Sequence, residues 1–217
     1  MSGYARSLVL VAVGCLAGAL LWLTPQARVP DAAAPRAPMA APIPAPPPAG
    51  ARIWYTARNY PQLSLPNGRQ EVVRSVLNIT EPMHFGGFVW NEDRIPKGPV
   101  WVRIDLTRQL LSVFRAGHEI GSAVILYGTD GKPTPTGSFT ILEKDAHHTS
   151  HSYDAPMPYM LRLTNDGVAI HGSNVREGWA THGCIGVPLD FARLLFAAAS
   201  KGDPVVILPV QPGAKKA

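Results

Sequence analysis

The sequence predicts a mainly β domain, a sandwich or partly closed barrel, with one helix near its C-terminal end. Three observations carry this. From residue 99 onward apolar residues recur with a period of two, as in half-buried strands. Turn-forming pairs such as Ala116-Gly117 and Asp166-Gly167 punctuate the pattern at intervals too short for helical crossovers. A single stretch, Leu189 to Ser200, has helical periodicity instead.

The elements follow in order. Val100, Val102, Ile104 and Leu106 alternate with Trp101, Arg103 and Asp105, which defines the first clear strand. A short polar turn leads to a second strand, Leu110 to Phe114, and Ala116-Gly117 turns the chain into Glu119 to Leu126. Pro133-Thr134-Pro135-Thr136-Gly137 reads as a rigid turn before a short strand, Ser138 to Leu142. Tyr159, Leu161 and Leu163 alternate with Met160, Arg162 and Thr164, and Asp166-Gly167 marks a hairpin into Val168 to Ile170. In the helix, Phe191, Leu194, Leu195 and Ala198 line one face, Asp190 lies in the first turn and Gly202 terminates it. Val205 to Leu208 is the closing strand. Upstream, residues 51–97 form a lead-in that packs on the main domain. Within it Val72-Val73 and Val76 to Ile79 fit a short strand or a weak helix, and Phe85 to Trp90 a glycine-kinked strand.

The N-terminal part has a different character. In residues 1–24, Arg6 precedes the uncharged run Ser7 to Leu23, 17 residues long. That run is long for a signal core and short for a full membrane span, and no small-x-small cleavage site follows Leu23 directly. It reads as an uncleaved membrane anchor in preference to a cleaved signal. Ala12-Val13-Gly14-Cys15 only faintly matches a lipidation site, and Cys15 reads as a small apolar helix residue. Residues 25–50 contain nine prolines mixed with alanine and cannot bury apolar surface. As polyproline II-like chain they reach roughly 80 Å, a tether that holds residues 98–210 away from a membrane. Residues 211–217 are a tail. The net charge of +5 is carried by scattered Lys and Arg, without the basic runs of a nucleic-acid surface. A polyanionic neighbour, such as a cell wall or an acidic membrane face, suits it.

Chemistry concentrates around Cys184, which lies in Thr181-His182-Gly183-Cys184 shortly after His171-Gly172. The only other cysteine, Cys15, is in the anchor, so Cys184 has no disulfide partner in the folded part. A thiol that attacks a carbonyl needs a base, and His171, at the end of a strand, is the best candidate. Gly172 lets the backbone bend so that a nearby carbonyl holds the other ring nitrogen. Gly183 permits unusual dihedrals, and backbone N–H groups there can face a developing oxyanion. His182 donates a hydrogen bond or stiffens the turn. A zinc site of His171, His182 and Cys184 is the competing reading, without the Cys-x-x-Cys or His-x-x-x-His spacing that makes such sites recognisable. His147, His148 and His151 read as solvated loop histidines along a groove, not as metal ligands.

Taken together, residues 98–208 resemble the L,D-transpeptidase catalytic domain, the YkuD-type fold. The resemblance rests on Val102-Arg103-Ile104-Asp105-Leu106 with Gln109-Leu110, on Pro133 to Gly137, on Met157-Pro158-Tyr159, on Ile170-His171-Gly172, on Thr181-His182-Gly183-Cys184-Ile185 and on Gly202 to Ile207. It implies a β-sandwich and a cysteine acyl-enzyme. Cys184 would be the nucleophile, His171 the proton acceptor and donor, and Gly172 the orienting carbonyl, with Thr181, His182 and Gly183 shaping the oxyanion site. Tyr159 and Arg176 are assigned to substrate binding. The implied donor is a peptidoglycan stem tetrapeptide, attacked at its third residue, often diaminopimelate, with loss of the terminal D-alanine. A side-chain amine of a second stem then accepts the acyl group, giving a 3–3 cross-link. Similar enzymes are acylated by carbapenems. No metal or organic cofactor is implied, and the expected protein is a monomer in the periplasm, tethered to the inner membrane.

The sequence departs from the family pattern in two places. The family commonly has Arg two residues after the cysteine, where this chain has Gly186, so Arg162 or Arg176 would have to supply that guanidinium. The stretch from His171 to Thr181 is also shorter than usual, which predicts a smaller loop and a more open groove. Hydrolysis of the same bonds is the main alternative, since an open groove admits water; a wall-binding module without activity is another. A sortase expects Thr-Leu-x-Thr-Cys, and NlpC-type peptidases place Cys before His, so neither matches.

Overall fold

The alternating run at Val100 becomes the centre of a large sheet. We describe it from a computed structural model, in which residues 52–64, 68, 70–128, 131–150, 153–211 and 213 are described. The anchor, the proline-rich tether, His151 and most of the tail lie outside these residues. In chain order the strands are β1 (Arg52–Trp54), β2 (Gln62–Ser64), β3 (Gln70–Val72), β4 (Ser75–Leu77), β5 (Phe88–Trp90), β6 (Val100–Asp105), β7 (Leu110–Arg115) and β8 (His118–Val124). They continue with β9 (Gly137–Thr140), β10 (Glu143–Ser150), β11 (Ala155–Arg162), β12 (Ala169–Ser173), β13 (Ile185–Pro188) and β14 (Pro204–Leu208), with helix α1 (Leu189–Ala198) between the last two.

The main sheet has the order β1-β4-β8-β7-β6-β14-β9, with β5 also paired to β8. A second sheet has the order β10-β11-β12-β13. Val102, Ile104, Leu111, Val113, Ile120 and Ile207 of the main sheet share one core with Leu161, Ile170, Ile185 and Val187 of the second sheet and with Phe191 and Leu195 of α1. Two apolar sheet faces and one apolar helix stripe thus cover one another, as layered packing requires. The sheets also join at one edge. Leu126 N–H donates to the Gly186 carbonyl at 2.8 Å and Gly186 N–H donates back to Leu126 at 3.0 Å. The predicted mainly β fold with a single C-terminal helix is therefore what the described residues form.

The outer face of β6 differs from a simple polar-out reading. Trp101 is buried, stacked on Phe114 at 4.1 Å and 6°, in a small cluster with Val206 that Leu63 and Val73 of the lead-in help cover. The ambiguous Val72 and Val76 segments are strands, β3 and β4. Arg52 ties the lead-in to the sheet, donating to Ser75 Oγ at 3.0 Å and to the carbonyls of Glu119 and Asn91. Gly121 on β8 accepts the indole of Trp90 where a Cβ would lie 2.3 Å from a ring carbon. Trp90 in turn meets Phe191 edge-on at 5.5 Å, which seats α1.

Three local expectations need correction. His147 and His148 are on a strand, β10, and not in a loop. That segment, Glu-Lys-Asp-Ala-His-His-Thr-Ser, has no apolar alternation because backbone pairing with β11, from Glu143↔Arg162 to Ser150↔Ala155, holds it as an edge strand. His171 lies inside β12 instead of at a strand end, because pairing with β13 extends β12 to Ser173. The helix ends at Ala198, and Gly202, at φ +93°, serves the turn into β14 instead.

Candidate active site

Parallel pairing of β12 with β13 sets the candidate site. Ile170 is opposite Ile185 and His171 opposite Gly186. Ile170 and Ile185 both project into the core. Strand alternation therefore sends His171 and the position of Gly186 to the other face, and Cys184, two residues before Gly186, is in the same phase. On that face a cavity of about 390 Å³ is lined by both Cys184 and His171, together with Thr181, His182, Lys132 and His148.

His171 Nδ1 is 3.0 Å from the carbonyl oxygen of Gly172. A carbonyl only accepts, so Nδ1 carries the hydrogen and Nε2 keeps its lone pair. Burial pushes the His171 pKa below the ordinary imidazole value, against a smaller upward pull from the Gly172 contact, and nearby His148 lowers it further. The Cys184 thiol points at the Gly167 carbonyl, 3.8 Å away. Burial pushes its pKa up, the Ala169 amide and Lys132 pull it down, and Asp166 pushes it up again. With the imidazole lowered and the thiol raised, both groups rest neutral in the cavity that they line together.

The loop carrying Cys184 is braced from beneath. Gly183 has φ +100°, a conformation that glycine adopts without strain. Thr134 Oγ1 accepts from the Gly128 amide at 2.8 Å and donates to the Gly183 carbonyl at 2.9 Å, both bonds buried. Gly128 and Gly183 touch: a Cβ on Gly128 would lie 2.7 Å from Gly183 Cα. Thr181 N–H donates to Tyr127 at 3.1 Å, and its hydroxyl donates to the carbonyl of Cys184. Thr181 and Gly183 thus shape the loop through backbone contacts. His182 lies at the cavity rim, its ring stacked on Tyr153 at 4.6 Å and 20°. The Pro-Thr-Pro-Thr-Gly turn supplies more than rigidity, since its first threonine is the brace; a buried hydroxyl with two backbone partners leaves no periodic signal in sequence.

Tyr159 and Arg176 are not brought to this cavity. Tyr159 has φ +57° and turns its ring toward Phe196, 5.8 Å away. The β10–β11 register runs unbroken past it, from Asp145↔Met160 to His147↔Pro158. Met157 and Met160 share one cluster with Ala169 and Cys184. Arg176 is on an exposed loop, bonded to Asn174 Oδ1 at 3.1 Å and lying over the Trp179 ring at 5.8 Å. Arg162 does line the cavity, but Glu143 engages it at 2.8 and 2.7 Å and the Thr164 carbonyl accepts a further bond at 3.2 Å. At position 186 a Cβ would lie 2.9 Å from Ser173 Cβ, so packing there favours glycine.

Sequence reasoning passed over Lys132, Asp166 and Tyr153 as site residues, while Met157 and the groove-lining His148, which it did single out, join them at the cavity. They come from the turn before Pro133, the hairpin at Gly167 and the β10–β11 hairpin, which only the fold assembles around Cys184. His148 Nδ1 is 3.4 Å from Asp145. Among the described residues no group of three or more His, Cys, Asp or Glu side chains is arranged to hold a metal ion. His171, His182 and Cys184 accordingly do not form a ligand set.

Comparison with known proteins shows the family of the domain that carries this cavity. The family model described as the L,D-transpeptidase catalytic domain, YkuD, matches residues 99–207. L,D-transpeptidase 1 of Mycobacterium tuberculosis is 28% identical over 120 residues, 48% of this chain and 48% of the relative. The probable L,D-transpeptidase 3 of the same organism is 28% identical over 96 residues, 35% of this chain and 34% of the relative. The chain thus spans about half the length, or less, of these curated relatives. Among solved structures, an L,D-transpeptidase from Stackebrandtia nassauensis aligns with a TM-score of 0.49 at 28% identity, covering 56% of this chain and 62% of that one. One from Mycobacterium smegmatis aligns with a TM-score of 0.48 at 24% identity, covering 51% and 58%. The matched span runs from the turn before β6 into β14 and includes the braced cysteine loop and the strand bearing His171; through it the chain belongs to the L,D-transpeptidase catalytic domain family.

Proposed function

We propose that the protein is a cysteine-dependent L,D-transpeptidase acting on peptidoglycan stem peptides through an acyl-enzyme on Cys184. The observation that carries this is the pairing of His171, its Nδ1 held by the Gly172 carbonyl, with Cys184 in one cavity. In the first half-reaction Sγ attacks the carbonyl of the third stem residue while His171 Nε2 takes the thiol proton. The oxyanion is met by backbone N–H groups of the Gly183–Cys184 loop. The carbon–nitrogen bond then breaks, the imidazolium protonates the departing amine, D-alanine leaves and a thioester remains. In the second half-reaction a neutral side-chain amine of another stem attacks the thioester. His171 takes its proton and returns it to the departing sulfur, leaving a 3–3 cross-link and the free thiol. The N-terminal anchor and tether would place this chemistry in the periplasm beside the inner membrane, within reach of the wall.

Hydrolysis is the second reading. The loop between His171 and Thr181 leaves Arg176 to Ala180 exposed, which favours access of water to the thioester. Incubation of the purified protein with disaccharide-tetrapeptides, followed by mass spectrometry, tests both. Cross-linked dimers that disappear in Cys184→Ala are expected. Release of D-alanine without dimers would establish the hydrolase, and neither product, with no Cys184 adduct, would refute both.

A further inference from the structure

We propose that Trp179 is a stacking platform for a sugar ring, so that the site takes its donor peptide still attached to the glycan. The inference rests on the stem-peptide reading and extends it from the peptide to the carbohydrate that carries it. Trp179 is 58% exposed. A single exposed apolar side chain is ordinary on a protein surface. This one differs in how it is held and where it stands.

The indole is carried on a fastened turn. Trp179 N–H donates to the Arg176 carbonyl at 3.3 Å, and Gly178 between them has φ +76°. Both ends of the exposed stretch are pinned. Val175 is buried, and its carbonyl lies 3.4 Å from where a Cβ on Gly86 would be. Thr181 N–H donates to the Tyr127 carbonyl at 3.1 Å. The Arg176 guanidinium lies over the indole at 5.8 Å, and its Nε donates to Asn174 Oδ1 at 3.1 Å. Among the described residues no other ring or cation meets the indole. A ring held from one side by a tethered guanidinium presents its other face to solvent.

Its place suits a glycan. Thr181 lines the cavity with Cys184, and Trp179 is two residues before it, a span of at most about 7 Å. In a stem peptide two residues, also about 7 Å when extended, separate the attacked third residue from the sugar. A donor with its scissile carbonyl at Cys184 and its stem running toward Thr181 therefore brings the first sugar to the indole. The C–H face of a pyranose is apolar and matches an aromatic face, while its hydroxyl and amide groups project from the rim. The exposed neighbours Asn174, Arg176 and Glu177 supply donors and acceptors for that rim. None of them is a large apolar side chain, so the turn lacks the contiguous patch that an apolar protein partner requires.

Calorimetry on the full-length Cys184→Ala protein tests this without turnover. A tetrapeptide is compared with the disaccharide-tetrapeptide of the same sequence. The sugar-bearing ligand should bind about threefold to tenfold tighter, the range for one aromatic stacking contact. That ratio should fall below about twofold in Trp179→Ala and recover in Trp179→Phe, which keeps an aromatic face. Equal affinity of the two ligands, or a ratio that persists in Trp179→Ala, would overturn the proposal and leave the stem-peptide reading standing. Binding of neither ligand would overturn both. Selective binding without cross-linking by the wild type would instead refute the transpeptidase reading alone.

Discussion

Replacing Thr134 with valine keeps the shape of a buried side chain and removes its hydroxyl. In the structure that hydroxyl accepts from Gly128 N–H at 2.8 Å and donates to the Gly183 carbonyl at 2.9 Å, with Thr134 only 5% exposed. Valine leaves one buried donor and one buried acceptor without this partner. An orphaned N–H costs about 1–3 kcal/mol, and a carbonyl, with its second lone pair, stays near the low end, so the sum is about 2–4 kcal/mol. For a domain of this size that lowers Tm by roughly 5–12 °C. The same change frees the Gly183–Cys184 peptide, whose N–H is a candidate oxyanion donor. Acylation of Cys184 by a carbapenem, followed by intact mass, should slow by about tenfold or more. Thr134→Ser keeps both hydrogen bonds and should lose only about 0.8 kcal/mol and little rate. Urea unfolding and acylation rates of the two variants are the assay. A Thr134→Val protein within about 0.5 kcal/mol of wild type, acylating at the wild-type rate, would refute the bracing argument.

Two further outcomes are expected. In the proposed mechanism acylation needs neutral His171 to accept a proton and a protonated thiol to supply it, so kcat/KM should be bell-shaped in pH. Burial lowers the His171 pKa and raises that of Cys184, which places the acid limb below the ordinary imidazole range and the alkaline limb above the ordinary thiol range. Removing the Lys132 charge should move the alkaline limb up and removing the Asp166 charge should move it down; shifts of the opposite sign would contradict the assignment. At position 186, Gly186→Ala drives a Cβ to 2.9 Å from Ser173 Cβ and should cost about 1–3 kcal/mol of stability. Combining it with Ser173→Gly should recover more than about 0.5 kcal/mol of that cost in a double-mutant cycle, and strict additivity would exclude the steric explanation.

Strong signals in the chain were local ones. The alternation of Val100 to Leu106 and the apolar stripe of α1 each reflect one element burying one face, and both are legible within a short window. Cys184 and His171 were legible for another reason: few residue types can attack a carbonyl or carry a proton near neutral pH, and here they stand close together beside glycines. Elements that depend on partners were not legible. β10 is polar along its length and is a strand only because β11 completes its hydrogen bonds. β13 is four residues long and draws its definition from β12 and from the Leu126 bridge. Trp101 looked like the solvent side of β6 because the residues of the lead-in that cover it, Leu63 and Val73, lie well upstream in the chain.

For the site the division is similar. Sequence by itself singled out Cys184 and His171 as the candidate nucleophile and base, with the glycine-bearing loop between them, because these are matters of residue type and short spacing. Tertiary structure decided which neighbours surround them. It moved Tyr159 out of the cavity by a left-handed kink, left Arg176 on an exposed loop and brought in Lys132, Asp166, Tyr153 and His148 from three separate segments. It also made Thr134 a brace, which a turn motif read along the chain does not reveal. The physical reason is that a charge or hydroxyl acts on whatever lies within a few ångströms, and those neighbours are set by strand register and sheet closure, not by position along the chain.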